Sequence, residues 1–110
     1  MNLSEIIAPL SLTVVNGDVD WEFDGVYAGD FLSRAMSRVE ADNLWITIMN
    51  NVNVIAVASL TDAAAVILAE DVALMNDALA AAVEKGVTIL SSPLSVYEIC
   101  ASLSRLDTDS

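Results

Sequence analysis

Histidine is absent from this sequence, and with it go His-based catalytic triads, histidine metal sites and imidazole acid–base catalysis. Cys100 is the only cysteine, which excludes a disulfide or a multi-cysteine metal site within one chain. It falls in the apolar stripe of an expected helix, where a thiol is buried and inert rather than nucleophilic. The only lysine, Lys85, follows Val83-Glu84, so no GxxxxGK[ST] phosphate loop exists. Four glycines write no GxGxxG dinucleotide loop. Basic residues number 4 against 16 acidic ones, for a net charge of −12. That excludes nucleic-acid binding, which needs clustered Lys and Arg to displace counterions, and disfavours anionic membrane surfaces. No catalytic residue, cofactor or metal site is therefore expected, and the chain reads as not an enzyme.

A long clean apolar run is also missing. Leu44 to Leu68 contains no Lys, Arg or Glu, but Asn50, Asn51, Asn53 and Asp62 interrupt it. No stretch of the roughly 18 apolar residues that a membrane span requires is left. There is no basic segment followed by an apolar one at the start, so no signal peptide is expected. The expected location is cytoplasmic.

What is present is aliphatic. Hydrophobic residues make up 55% of 110 positions, only 5% are aromatic, and the mean hydropathy is +0.59. Such runs suit a sheet covered on both faces; acidity keeps so apolar a chain in solution, or meets a basic partner. Ser4 to Pro9 allows an opening helix capped by Ser4, and Leu12 to Val15 a strand ended by Asn16-Gly17. Asp20 to Asp24 alternates polar and apolar, as in a half-exposed edge strand. The acidic residues there fail the EF-hand register.

Gly25 to Gly29 predicts a short inner strand, and Asp30 the cap of a helix with Phe31, Leu32, Ala35, Met36 and Val39 inward. Arg34 and Arg38 lie on its polar side, as solvated charges or as a landing for an anion. Leu44 to Ile48 is the next strand. The following helix shows Val52, Ile55, Ala56, Ser59, Leu60 and Ala63 in one stripe, with Val54, Val57 and Ala58 making its other side apolar too. Ala65 to Ala69 is a buried strand, a helix from Asn76 or Asp77 stops at Lys85-Gly86, and Val87 to Leu90 is the last strand. Ser95 to Glu98 is a capping box that opens a helix with Val96, Ile99, Cys100 and Leu103 inward.

Alternation of strand and helix with short loops predicts an α/β fold. It is expected to be a three-layer αβα sandwich around a largely parallel sheet of about 5–6 strands with βαβ crossovers. A single domain is expected over 1–106, with a disordered tail at 107–110. In such a sheet ligands sit beyond the carboxyl ends of the strands. The candidates there are Asp30, Ser33, Asn50, Asn51, Ser91, Ser92 and Ser95, small hydrogen-bonding groups beside helix starts that suit a neutral or phosphate-bearing ligand. The alternative is that each polar residue caps its own helix.

Three stretches carry a family resemblance: GVYAGDFLSRAM, LWITI followed by NVNVIAVASL, and GVTILSSPLSVYEICASL. From about Leu3 to Leu106 the chain resembles the small stand-alone DRTGG-domain proteins of bacteria. That domain is similar to the N-terminal domain of HPr kinase/phosphorylase, and it accompanies CBS domains and phosphotransacetylases. The chain has no Asp-Arg pair, and Ala69-Glu70-Asp71 stands where Thr-Gly-Gly would follow the strand. The resemblance implies a regulatory or ligand-sensing module without catalysis of its own, taking a nucleotide or other small metabolite. The alternative is a protein-interaction or accessory subunit, acting as a homodimer or within a metabolic complex, since so much apolar surface exceeds what one small core hides.

Overall fold

Two short strands, β3 (Asn43–Thr47) and β4 (Ala65–Leu68), are apolar on both sides of the pleat because layers cover both faces of the sheet they form. The computed structural model describes residues 1–109. Its sheet also contains β1 (Thr13–Asn16), β2 (Gly25–Ala28) and β5 (Ile89–Ser91), in the order β1-β5-β4-β3-β2. β2, β3, β4 and β5 are parallel, and β1 lies antiparallel against β5. The α/β class and the largely parallel five-stranded sheet are as expected.

The helices are α1 (Leu32–Arg38), α2 (Val52–Thr61), α3 (Asn76–Lys85) and α4 (Val96–Asp109). Trp45, Val66, Leu68 and Ile89 point into one core with Ala35 of α1, Val54, Ile55 and Ala58 of α2, and Ala78 and Ala82 of α3. Leu44, Ile46, Ala65, Ile67 and Leu90 point the other way, against Leu3, Ile6, Leu10, Phe23 and α4's Ile99 and Leu103. One face thus carries three crossover helices, and the other carries α4 with the amino-terminal segment. The chain steps β2 to β5 always in one direction, and crossovers of constant hand then deliver every helix to the same side.

Several local expectations change. The opening helix is a 3-10 turn over Leu3–Glu5, capped by Asn2, not Ser4; Asn2 and Glu5 exchange the capping-box bonds. Asp20 to Asp24 is not a sheet strand: it forms an isolated bridge between Asn2 and Glu22, and Phe23 is buried under the amino terminus. β2 is an outer strand, not an inner one. In α2 the buried side is Val54, Ile55, Val57 and Ala58, while Val52 and Leu60 face solvent. Phe31 and Met36 are likewise exposed, because α1 presses Ala35, Val39 and, in part, Leu32 inward. α4 is helical to Asp109, and Ser110 lies outside the described residues.

The capping box of Ser95 and Glu98 forms as expected, with both bonds at 3.1 Å. Gly86 ends α3 at a left-handed φ of 67°, where a side chain would be strained. No helix among the described residues is long and apolar enough to cross a membrane.

Candidate functional site

Because β2 to β5 are parallel, the segments that follow them line one edge of the sheet. Asp30 follows β2. It does not cap α1, whose N-cap is Phe31 without a side-chain bond. Its Oδ1 instead accepts from Thr47 Oγ1 at 2.7 Å and from the Ile48 amide at 3.2 Å. Thr47 is fully buried and its hydroxyl in turn accepts from the Met49 amide at 3.2 Å. The carboxylate therefore fastens the ends of β2 and β3 together through charge-assisted bonds. The Trp45 indole adds a third tie, donating to the Gly29 carbonyl at 3.0 Å.

Asn50 joins two loops. Its Nδ2 donates to the Ala73 carbonyl at 2.7 Å, and its own carbonyl accepts from the Met75 amide at 3.1 Å. Asn51 caps α2, accepting from the Asn53 amide at 3.0 Å. Ser91 closes β5, paired with Thr13 and Leu68. Ser92 is buried; its hydroxyl donates to the Leu10 carbonyl at 2.7 Å and accepts from the Leu94 amide at 3.1 Å. Ser95 caps α4. Ser33 stands exposed in the first turn of α1, apart from these bonds.

The turn after β4 is the most constrained part of this edge. Glu70 and Asp71 both adopt left-handed backbone, at φ 60° and 56°. Their amides donate to the carbonyls of Leu94 and Ser92, each at 2.9 Å. Two consecutive left-handed residues are what a Gly-Gly pair supplies without strain. The backbone shape that glycines would provide is present here with side chains on it.

Asp30, Glu70 and Asp71 give the edge a negative field, and the ion pair of Met1 with Glu22 at 3.1 Å lies elsewhere. No group of three or more His, Cys, Asp or Glu there could hold a metal ion. The apolar content of the edge is not legible in the sequence: Phe31 is 75% exposed, and Ile48, Val52 and Met75, in the loops and helix starts that follow β3 and β4, are exposed as well. The expected apolar stripes place Phe31 and Val52 inward, but spacing alone does not tell which phase of a short helix faces in.

Two concavities lie away from this edge. One of about 500 Å³ sits between α4 and β2, and one of about 530 Å³ lies at the amino ends of the strands around Trp21, Asp42 and Asp62. Cys100 lines the first; burial pushes its thiol up from the ordinary value.

No protein-family model matches the chain, and no curated protein matches it in sequence. In structure it is similar to the CBS and DRTGG domains of the regulatory region of Clostridium perfringens pyrophosphatase, complexed with the activator diadenosine tetraphosphate. The TM-score is 0.73 at 11% sequence identity, and the match covers 93% of this chain and 45% of that one. This chain thus spans less than half the length of the structure it matches. The shared fold agrees with the DRTGG resemblance drawn from its motifs.

Proposed function

We propose that this chain is a non-catalytic regulatory module that binds a small ligand, nucleotide-like in chemistry, at the carboxyl edge of its sheet. The observation that carries this reading is the fold shared, over nearly the whole chain, with a regulatory region crystallised with a nucleotide activator. The edge offers two kinds of contact. Phe31 presents an open aromatic face on which a base stacks. Asp30, Ser33, Asn50, Asn51, Ser91 and Ser95 are the polar contacts, while Ser92, engaged with Leu10 and Leu94, holds the loop that carries its neighbours.

A thermal-shift series with diadenosine tetraphosphate, adenosine mono- and triphosphate and sugar phosphates tests this. A ligand at about a hundredfold over its Kd stabilises by about 2.7 kcal/mol, a rise in Tm of roughly 10 °C for a domain of this size. Flat melting curves with every compound at millimolar concentration would refute it.

A second reading, a protein-interaction subunit acting as a homodimer or accessory chain, is favoured by the exposure of Phe31, Leu60, Val83 and Tyr97, each above 60%. Light scattering and pull-down distinguish it; a monomer without a partner would sink it.

A further inference from the structure

The two outer strands of the sheet differ in how their free edges are protected. β1 breaks register between Val14 and Asn16, and an irregularity of that kind turns an edge away from further pairing. β2 pairs with β3 in unbroken register, from Gly25 with Asn43 to Ala28 with Ile46. Its sequence, Gly-Val-Tyr-Ala, contains no charge and no proline to deter another strand. The Gly29 amide donates inward to the Ile46 carbonyl at 3.1 Å. By the two-residue repeat of a parallel ladder, Val26 and Ala28 therefore turn their amides and carbonyls outward.

Beside this open edge lies the cavity of about 500 Å³, walled by Phe23, Val26, Cys100 and Leu103. Val26 is 45% exposed at its mouth. Asp24 and Asp107 line the same cavity and no Lys or Arg side chain does; the Met1 ammonium, which also borders it, is paired with Glu22 at 3.1 Å. An edge that lacks a strand, a pocket at side-chain distance from it and an acidic rim all describe one kind of occupant.

We propose that β2 and this cavity form a docking groove for an extended basic segment of a partner protein. The segment adds to the sheet outside β2, its backbone bonding to Val26 and Ala28. It places one aliphatic or aromatic side chain in the cavity and lays Lys or Arg side chains two residues to either side, on the same face, against Asp24 and Asp107. A second copy of this chain is a poor occupant, since each copy carries a net charge of −12 and only four basic residues. The groove is separate from the ligand edge described above, and either reading stands without the other.

The probe is a capped seven-residue peptide with Val at its centre, Lys two residues to either side and Thr elsewhere, with a control carrying Glu in place of Lys, titrated into the full chain by calorimetry at low salt. The Lys peptide is expected to bind, with the Glu peptide weaker by roughly tenfold or more. Amide exchange followed by NMR should show new protection at Val26 and Ala28. Val26→Pro, which removes one outward N–H at a position where an edge strand tolerates proline, should weaken binding by roughly tenfold. The charge-reversed Asp24→Lys/Asp107→Lys variant, at exposed positions, should shift preference to the Glu peptide, and it keeps the test valid if Val26→Pro does not fold. Equal affinity for the two peptides, variants that bind unchanged, or protection away from β2 would each overturn the proposal. So would light scattering that shows a dimer broken by Val26→Pro, because the edge would then belong to a second copy.

Discussion

Replacing Glu70 and Asp71 with glycine should make this protein more stable, although glycine ordinarily weakens a fold. Both residues sit in left-handed backbone, at φ 60° and 56°. A side chain there crowds its own carbonyl and costs about 1–2 kcal/mol, with aspartate at the lower end because its short carboxylate bonds locally. Glycine removes that cost but frees the unfolded chain, which returns roughly 0.5–1 kcal/mol. The net gain is about 0.5–1 kcal/mol for Glu70→Gly and roughly 1–1.5 kcal/mol for the pair. Nothing else is lost, because the bonds to Leu94 and Ser92 come from the backbone amides. In urea, with a slope of about 1.5 kcal/mol/M, the double variant should unfold at a midpoint higher by roughly 0.7–1 M. Glu70→Ala, which keeps a Cβ at the same φ, should move the midpoint little. A double variant no more stable than the parent would refute the reasoning, and would mean that these side chains make contacts which outweigh the strain.

Three further outcomes follow from the packing. Ser92→Ala leaves the Leu10 carbonyl and the Leu94 amide without their partner in a buried place, so it should cost about 2–4 kcal/mol in urea unfolding; a loss below about 1 kcal/mol would show that water takes over the hydroxyl's bonds. Gly17 has φ 94°, and a Cβ there would lie 2.6 Å from the Thr88 Cα, so Gly17→Ala should lose roughly 3 kcal/mol or more, and near-parent stability would show that the β1 turn is free to move. Burial holds the Cys100 proton to higher pH than in a free thiol. Its alkylation at pH 8 should therefore be slower than in the urea-unfolded chain, and stability should fall as pH rises from the unfolded thiol's value, about 8.5, toward the raised value of the folded one; equal alkylation rates would refute the burial.

The parts of the fold that were legible in the sequence are those decided locally. β3 and β4 announce themselves as unbroken aliphatic runs, Gly86 as a left-handed stop, and Ser95 with Glu98 as a helix start. What was not legible depends on neighbours. The helix α2 is apolar nearly all round, so its sequence holds no phase, and only the sheet beneath selects Val54, Ile55, Val57 and Ala58. Asp20 to Asp24 alternates as a strand would, yet alternation does not say which strand is next to it, and it lies under Met1 and Leu3 instead. The candidate site divides the same way. Asn51 and Ser95 are caps that adjacent residues reveal. Asp30 looks like a cap and is not one, because Thr47, 17 residues away, offers its carboxylate a buried hydroxyl.

Strand order explains where this fold puts its usable surface. In doubly wound sheets a cleft opens at the carboxyl edge where the strand order reverses, since the crossovers on either side leave in opposite directions. Here the parallel strands run β2, β3, β4, β5 without reversal, so no such cleft arises. The helices α1 to α3 sit side by side on one face, and the carboxyl edge is a row of tied loops rather than a crevice. A ligand at that edge therefore rests on exposed groups such as Phe31 and Ile48 more than within walls. On the opposite face α4 and the amino-terminal segment form the cover, and the space between α4 and β2 becomes a cavity of about 500 Å³. The same one-way winding that removes the usual cleft thus leaves an outer strand and a pocket side by side, a geometry suited to receiving a peptide.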